Sequence, residues 1–520
     1  MAAALSWAMR PLPECQPVPL LGVASTRAHE NALAKRLPPH ELMARAGLAL
    51  ARLTLALHPH AHRLWVACGP GNNGGDALIA ATHLRRWRDA RGLGPDIHVS
   101  RCAGAGTPPD DTAWALAQAE AAGLRIHDTP PAAWDAALDG LLGIGAARAP
   151  AGALARHWQA LFTAESPVLC VDLPSGLDAD TGHWHTPVGM QPHPGQQRAT
   201  LAMLAGKPGL FTAQGRDAAG PVWLAPLVDE PAPAADAWLG ATTAAAAPRP
   251  HTAHKGNQGD VVVIGGQDIH PAGVGMTGAA VLAARAALHA GAGRVYLGLL
   301  GGLGQAPGWD PLCPELMFRR PELLLEPGML DSAVTVCGCG GGQAVAGHLP
   351  LVLRHAHRLV LDADALNAIA AHEALRHQLE RRTDQPDWVT VITPHPLEAA
   401  RLLGKGCRDV QADRLGTARQ LADQLGVICV LKGSGSVIAA PGRTPVINPS
   451  GNPALATAGT GDVLAGLIGS LLAQPAPAGD DAPATVARAV LLHGQAADRQ
   501  VAAAPGHRLD ASTLATLLAS

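Results

Sequence analysis

Short apolar runs bounded by glycine, proline or aspartate alternate along this chain with stretches whose small and apolar residues recur at helical spacing. That rhythm predicts layered α/β domains. In the first half, strands are expected at residues 64–68, 97–102, 124–127, 167–171, 200–204 and 222–224. Helices are expected over most of 25–57, divided at Pro38 and Pro39, and over 78–87 and 111–122. The first twenty or so residues break repeatedly at proline and predict little regular structure. From Val228 to His254 the sequence turns to Ala, Pro and Thr, which marks a domain boundary. A second set of strands follows at 261–264, 295–299, 333–337, 358–361, 389–393, 427–431 and 437–439, with a small-residue helix at 277–290. The halves share this rhythm but not their glycine motifs, so a duplication has little support.

Length and composition narrow the picture. A chain of 520 residues that is 48% hydrophobic can bury two or more cores. Its formal charge is -3 with no basic block, which gives a nucleic-acid partner no compositional support. The nine cysteines are odd in number and sit mostly in apolar or glycine-rich runs, so a reduced cytoplasmic setting is expected over a disulfide framework. Cys337 and Cys339 form a CxC pair with no second pair nearby, which is weak support for zinc. The start carries no signal-peptide or membrane-span pattern.

Chemistry concentrates where glycine and carboxylate meet after a strand. In GNPALATAGTGDVLAG, the small residues Gly459 to Gly461 precede Asp462 and an apolar helix-like segment. Backbone N–H groups there suit an anion and the carboxylate suits a base, although Asp462 as a mere helix cap fits the string alone. Lys432 begins KGSGS at a strand end, where a point charge joins backbone donors for phosphate. Asp362, Asp364 and Asn367 follow another strand, and His395, taken alone, reads as a packed or turn histidine. In the first half, GPGNNGGDA at 69–77 forms a turn between strand and helix without a dinucleotide fingerprint or a P-loop. Asn72, Asn73 and Asp76 suit a ribose, a carboxamide or a hard cation, and a structural turn network equally well. Asp172, at a strand's carboxyl end, is the first choice for catalysis; Asp178 and Asp180 read equally as turn or cap residues. Lys207 reads better as a solvent-facing turn residue than as an anion ligand.

In order, GPGNNGGD, DGLLGIG, DLPSGLDADTG and LAGKPGLFTAQGRDAAG resemble the epimerase half of the bifunctional NAD(P)H-hydrate repair enzymes. HKGNQGDVVVIGG, CPELM, LDADALN, TPHPLEAARLLG, LKGSGSVI and GNPALATAGTGDVLAG resemble its ribokinase-like dehydratase half. The resemblance implies a Rossmann-like three-layer epimerase domain at 1–228, a linker at 229–250, and a ribokinase-like three-layer dehydratase domain at 251–520. It implies epimerisation of the R and S hydrates of NADH and NADPH, then dehydration of the S form with ADP or ATP and Mg2+. For the first domain it places the hydrate at Asn72, Asn73, Gly74, Gly75, Asp76, Gly143, Ile144, Gly145, Ala146, Ala147, Arg148 and Ala149. Asp172 would be the base, and K+ would lie at Asn73, Asp139 and Ser175. For the second domain it places adenine nucleotide at Lys432, Gly433, Ser434, Gly435, Ser436 and Gly461. Ala279, Gly340 and His395 would meet the hydrate with Asp462, the catalytic base. A homo-oligomer is implied too. The sequence departs from the family pattern at Ala77, in GCGGG at 338–342, at Leu397 and at Ala454-Leu455. A small-molecule kinase fused to a nucleotide-binding domain, and a nucleotide-responsive binding protein without catalysis, are the competing readings.

Overall fold

The computed structural model describes residues 8–104, 106–145, 148–230, 233–242, 251–269, 273–300, 308–477 and 479–519. The chain divides into two compact units, Met1–Leu239 and Gly240–Ser520. In the first unit the strands are β1 (Arg10–Leu12), β2 (Val18–Leu20), β3 (Arg63–Cys68), β4 (Asp96–Arg101), β5 (Ile126–His127), β6 (Ala136–Gly140), β7 (Val168–Val171), β8 (Arg198–Met203), β9 (Val222–Ala225) and β10 (Ala237–Leu239). Eight of them form one sheet in the order β1-β9-β8-β7-β6-β3-β4-β5. All neighbours in it are parallel except β1, which runs antiparallel to β9.

The expected strands of this half are all present, and the start of the chain is a correction. Proline there did not prevent pairing: β1 lies on the sheet edge, where a missing N–H is tolerated, and β2 pairs with β10 and bridges Gly206 through Leu20. The stretch expected as linker thus holds a strand. Strand β6, with its small residues Ala136, Ala137 and Gly140, was not among the expected strands.

The second unit carries β11 (Asp260–Gly265), β12 (Arg294–Leu299), β13 (Met317–Phe318), β14 (Val334–Cys337), β15 (Arg358–Leu361), β16 (Val389–Ile392), β17 (Ile428–Leu431), β18 (Val437–Ala439) and β19 (Val446–Ile447). Their order is β13-β12-β11-β14-β15-β16-β17-β18-β19, parallel as far as β17 and antiparallel beyond it. The Val-rich parallel strands are buried along their length, as a sheet covered on both faces requires. Among the described residues no helix is long and apolar enough to cross a membrane.

Each sheet has a point where sequence order reverses. In the first it lies between β3 and β6, and in the second between β11 and β14. Connections leave such neighbours in opposite directions, which opens a crevice at the strands' carboxyl ends. In the second unit the helix Thr460–Ala473 packs there against the helix Thr277–His289. Its glycines permit the approach: a Cβ on Gly466 would stand 2.0 Å from the carbonyl oxygen of Ala283. Gly466→Ala should therefore lower stability by about 1–3 kcal/mol through overpacking, despite alanine's better helix propensity. Chemical denaturation measures it; an unchanged midpoint would mean that the helices do not meet this closely.

Candidate functional site

The crevice of the first unit encloses a cavity of about 460 Å3. Its wall takes Arg27 and Glu30 from the helix Val23–Ala34, Asn72, Asn73 and Asp76 from the helix Asn72–Arg91, the turn after β6, and Asp172 and Lys207. The expected turn at 69–77 ends earlier than predicted, because the helix starts at Asn72. The glycines that looked like loop residues are packing residues. A Cβ on Gly74 would fall 2.2 Å from the Gly69 carbonyl oxygen, and one on Gly75 would strike the end of the Met43 side chain at 2.5 Å. Gly143, Ile144 and Gly145 line the cavity, whereas Arg148 and Ala149 do not. Ala146 and Ala147 lie outside the described residues. Ala77, where the family pattern has glycine, is fully buried toward Gly140 and does not line the cavity.

Asp172 follows β7 with φ of +64, a left-handed conformation that non-glycine residues adopt at a cost. Its Oδ1 accepts from Met203 N at 2.9 Å and from the ammonium of Lys207. Lys207 also donates to the Met203 carbonyl at 2.9 Å and is fully buried. This corrects the reading of Lys207 as a solvent-facing turn residue. The turn after β8 folds inward, and the ammonium is stabilised by the carboxylate it meets. Burial, then the charge of Asp172, pushes the carboxyl of Asp76 well above its ordinary range, and the same two causes raise Glu30. Around one buried lysine the cavity thus gathers the carboxyl groups of Glu30, Asp76 and Asp172.

Behind this cavity lies a second polar group. Ser175 donates its hydroxyl to Asp139 Oδ1 at 2.6 Å and its N–H to Oδ2 at 2.7 Å. Leu142 N donates to Ser175 Oγ at 2.9 Å, and Asn73 Nδ2 donates to the Leu142 carbonyl at 3.0 Å. Asn73, Asp139 and Ser175 are therefore brought together around one peptide. Burial raises the Asp139 carboxyl to about 6, against its hydrogen bonds to Ser175. No cationic side chain pairs with it among the described residues.

In the second unit the turn before Asp462 opens the helix Thr460–Ala473. Lys432, just past β17, reaches across it: a Cβ on Gly461 would lie 3.2 Å from Nζ. The ammonium thus hangs over the first turn of a helix, where unpaired N–H groups point outward. Nζ is 2.8 Å from Asp362 Oδ1, which also accepts from Thr393 Oγ1 at 2.8 Å. Burial alone would lower the Lys432 pKa, but the charges of Asp362 and Glu398 outweigh it and raise the group. Burial and the charge of Asp362 lift Asp462 to about 6. The loop 433–436 turns through glycines at φ of +141 and +61, and Ser436 Oγ donates to the Gly433 carbonyl at 3.2 Å. Gly340 and Ala279 adjoin each other: a Cβ on Gly340 would meet that of Ala279 at 2.8 Å.

His395 caps the helix Pro396–Leu403. Its Nδ1 accepts from Leu397 N at 3.1 Å, so the proton sits on Nε2, 3.1 Å from Glu398 Oε1. Asn367 accepts from Arg401 at an exposed position, and Asp364 accepts from Gly342 N at 2.8 Å. Two residues near these sites had no sequence signal: Glu30, a helix glutamate among others, and His493, a lone histidine on a long helix; Cys339 stood out only as half of the CxC pair. His493 is buried, and its Nε2 contacts the Thr460 carbonyl oxygen at 2.9 Å, fastening the turn before Asp462.

The comparisons divide the chain in the same order. A family model described as NAD(P)H-hydrate dehydratase matches residues 261–518, and one described as YjeF-related protein N-terminus matches 39–209. The bifunctional NAD(P)H-hydrate repair enzyme of Escherichia coli strain K12 is 34% identical over 484 residues, 88% of this chain and 85% of that protein. The ADP-dependent (S)-NAD(P)H-hydrate dehydratase of Neisseria meningitidis serogroup B is 40% identical over 259 residues, 48% of this chain and 80% of that protein. Among solved structures, an ADP/ATP-dependent NAD(P)H-hydrate dehydratase from Bacillus subtilis, crystallised with ATP and Mg2+, matches at 28% identity with a TM-score of 0.42, covering 52% of this chain and 91% of that one.

Two stability outcomes follow from this geometry. Lys207→Met strands a buried carboxylate and should cost about 3–5 kcal/mol, whereas the double variant with Asp172→Asn should recover much of that loss. Urea unfolding tests this, and additive losses would mean that the pair does not interact. Burial, opposed by the bond to Thr460, lowers His493 from 6.5 to about 4. Below pH 6.5 the unfolded chain takes up a proton that the folded one refuses. Stability therefore falls as pH drops from 6.5 through 4, by up to about 3 kcal/mol. His493→Gln should flatten that part of the stability profile; an unchanged slope would assign it to other groups.

Proposed function

We propose a residue-level course for two linked reactions from one premise: the chain belongs to the bifunctional NAD(P)H-hydrate repair enzyme family. It is an isomerase and a lyase in one chain: it epimerises the R and S hydrates of NADH and NADPH and dehydrates the S form with an adenine nucleotide. We assign epimerisation to residues 1–228, with 229–250 as linker, and dehydration to 251–520.

The observation that carries the dehydratase assignment is the convergence of Asp462, Lys432 and the helix N-terminus at Gly461. Asp462 takes the proton from the hydrate hydroxyl, a role suited by a carboxyl that titrates near neutrality. The hydrate oxygen attacks the terminal phosphoryl group of ADP, and AMP leaves. Lys432 and the N–H groups near Gly461 hold the charge that develops on the phosphoryl oxygens. The C–O bond to the new phosphate ester then breaks as the ring nitrogen donates its electron pair, and loss of the adjacent ring proton restores the reduced nicotinamide. The loop 432–436 takes the nucleotide, while Ala279, Gly340 and His395 face the hydrate. His395 donates its Nε2 proton to Glu398 and so acts by position. Leu397 is exposed at the start of the same helix, which leaves it room to yield to a ligand. Mg2+ is expected to arrive with the phosphates, since among the described residues the one group of three close side-chain donors includes a thiol that suits a hard cation poorly.

In the epimerase cavity Asp172 is the base, oriented by Lys207 and the Met203 N–H. Asn72 and Asn73, with Gly143, Ile144 and Gly145 of the loop 143–149, bind the hydrate, and Asp76, whose carboxyl is pushed upward by burial, stands beside them. Gly74 and Gly75 act indirectly, by letting that helix approach its neighbours. K+ fits Asn73, Asp139 and Ser175, because Asp139 is a buried carboxylate whose described partners are all neutral donors. Bound there, it would supply the balancing charge. A cytoplasmic homo-oligomer completes the reading.

The test follows recovery of reduced-nicotinamide absorbance from separated S and R hydrates with ADP or ATP and Mg2+. Wild type should repair both. Asp172→Ala should repair S only, and Asp462→Ala neither. A stable phosphorylated product without recovered absorbance would move the C-terminal unit to the small-molecule kinases. Nucleotide binding without turnover would instead favour a binding protein.

A further inference from the structure

The residue that stands second in GCGGG, Cys339, has no part in the course above, yet it lies among its carboxylates. Cys339 Sγ, a carboxylate oxygen of Asp362 and one of Asp462 all lie within 4.8 Å of one another. Cys339 is fully buried and Asp362 is 1% exposed. The two oxygens of Asp362 are treated differently. Oδ1 accepts from Lys432 and Thr393, both at 2.8 Å. The partner of Oδ2 among the described residues is the Cys339 thiol at 3.9 Å, a weak donor at a long distance. A buried carboxylate oxygen is thus left poorly satisfied and aimed at a sulfur and a second carboxylate.

We propose that Cys339 Sγ, Asp362 Oδ2 and the Asp462 carboxylate form a three-ligand site for a thiophilic divalent cation of the zinc class, and that its occupancy blocks dehydration. One thiolate and two carboxylates suit a tetrahedral ion that keeps its fourth position for water. Coordination forms a metal–sulfur bond and releases the thiol proton to solvent. Lys432 and Thr393 keep Oδ1, so their hydrogen bonds survive. The CxC spacing misleads here: Cys337 is fully buried within β14, and the partners of Cys339 come from the turn after β15 and the helix Thr460–Ala473. The binding site stands on geometry alone; the block rests on the reading of Asp462 as base.

The probe is Cd2+ alone, added to the metal-free full chain and followed by thiolate-to-cadmium charge-transfer absorbance with a competing chelator. Cys15 and Cys407 are exposed and contribute equally to every variant, so the signal is the difference between wild type and Cys339→Ala. Wild type should show one additional equivalent, Cys339→Ala none, and Asp462→Asn binding weakened at least about tenfold. Excess Mg2+ should leave the band in place. With nucleotide and Mg2+ present, Cd2+ should suppress dehydration in wild type and not in Cys339→Ala, each measured against its own cadmium-free rate. Identical bands in wild type and Cys339→Ala, or displacement of the band by Mg2+, would overturn the site. A difference band with an undiminished rate would overturn the block. If no variant dehydrates its substrate, the function reading fails, and the band still decides the site.

Discussion

A lysine ammonium held against an aspartate away from water is the constraint from which both units are built. Lys207 meets Asp172 in one, and Lys432 meets Asp362 in the other. Neither charge could be buried alone, so each pair fixes the relative position of two strand ends more tightly than apolar contacts would. The roles differ. In the first unit the paired carboxylate is itself the expected base. In the second, the pair leaves Asp462 outside it, lifted by burial and then by the negative charge of Asp362. One motif of burial therefore anchors the paired carboxylate in one case and leaves a second carboxylate, raised to about 6, beside the pair in the other.

Around these pairs the chain uses small residues where atoms must approach. A Cβ on Gly69 would fall 1.7 Å from the Leu141 carbonyl oxygen, across the crevice between β3 and β6. Gly338, Gly340 and Gly342 all have positive φ at the matching place in the second sheet. Backbone packed this closely leaves little room for a wall of side chains at either crevice. The low aromatic content belongs to the same design: these sites are shaped by backbone, with few large side chains between.

Much of this was legible in the sequence. Apolar runs located the parallel strands, because strands buried on both faces read as continuous hydrophobic segments. The turn before Asp462 and the lysine after β17 announced themselves by glycine beside charge. What escaped was contextual. Lys207 sits in a Gly-Lys-Pro turn that looks the same whether it faces solvent or a carboxylate thirty-odd residues earlier in the chain. The Asn72–Arg91 helix begins inside a glycine-rich string that local propensity assigns to a loop, since tertiary packing outweighs propensity there. His493 and Cys339 acquire meaning only from residues far away in sequence, and no local pattern carries that information. β1 and β2 were hidden by prolines that an edge position tolerates.

The close seam between the helices Thr460–Ala473 and Thr277–His289 has a kinetic side. Interlocked glycine and alanine surfaces resist sliding, because any shift drives Cβ atoms into backbone. Asp462 stands in the first turn of one helix and Ala279 in the first turn of the other, so the two ends of the crevice are carried by one stiff body. A ligand that settles on either end cannot reposition its helix without moving the other.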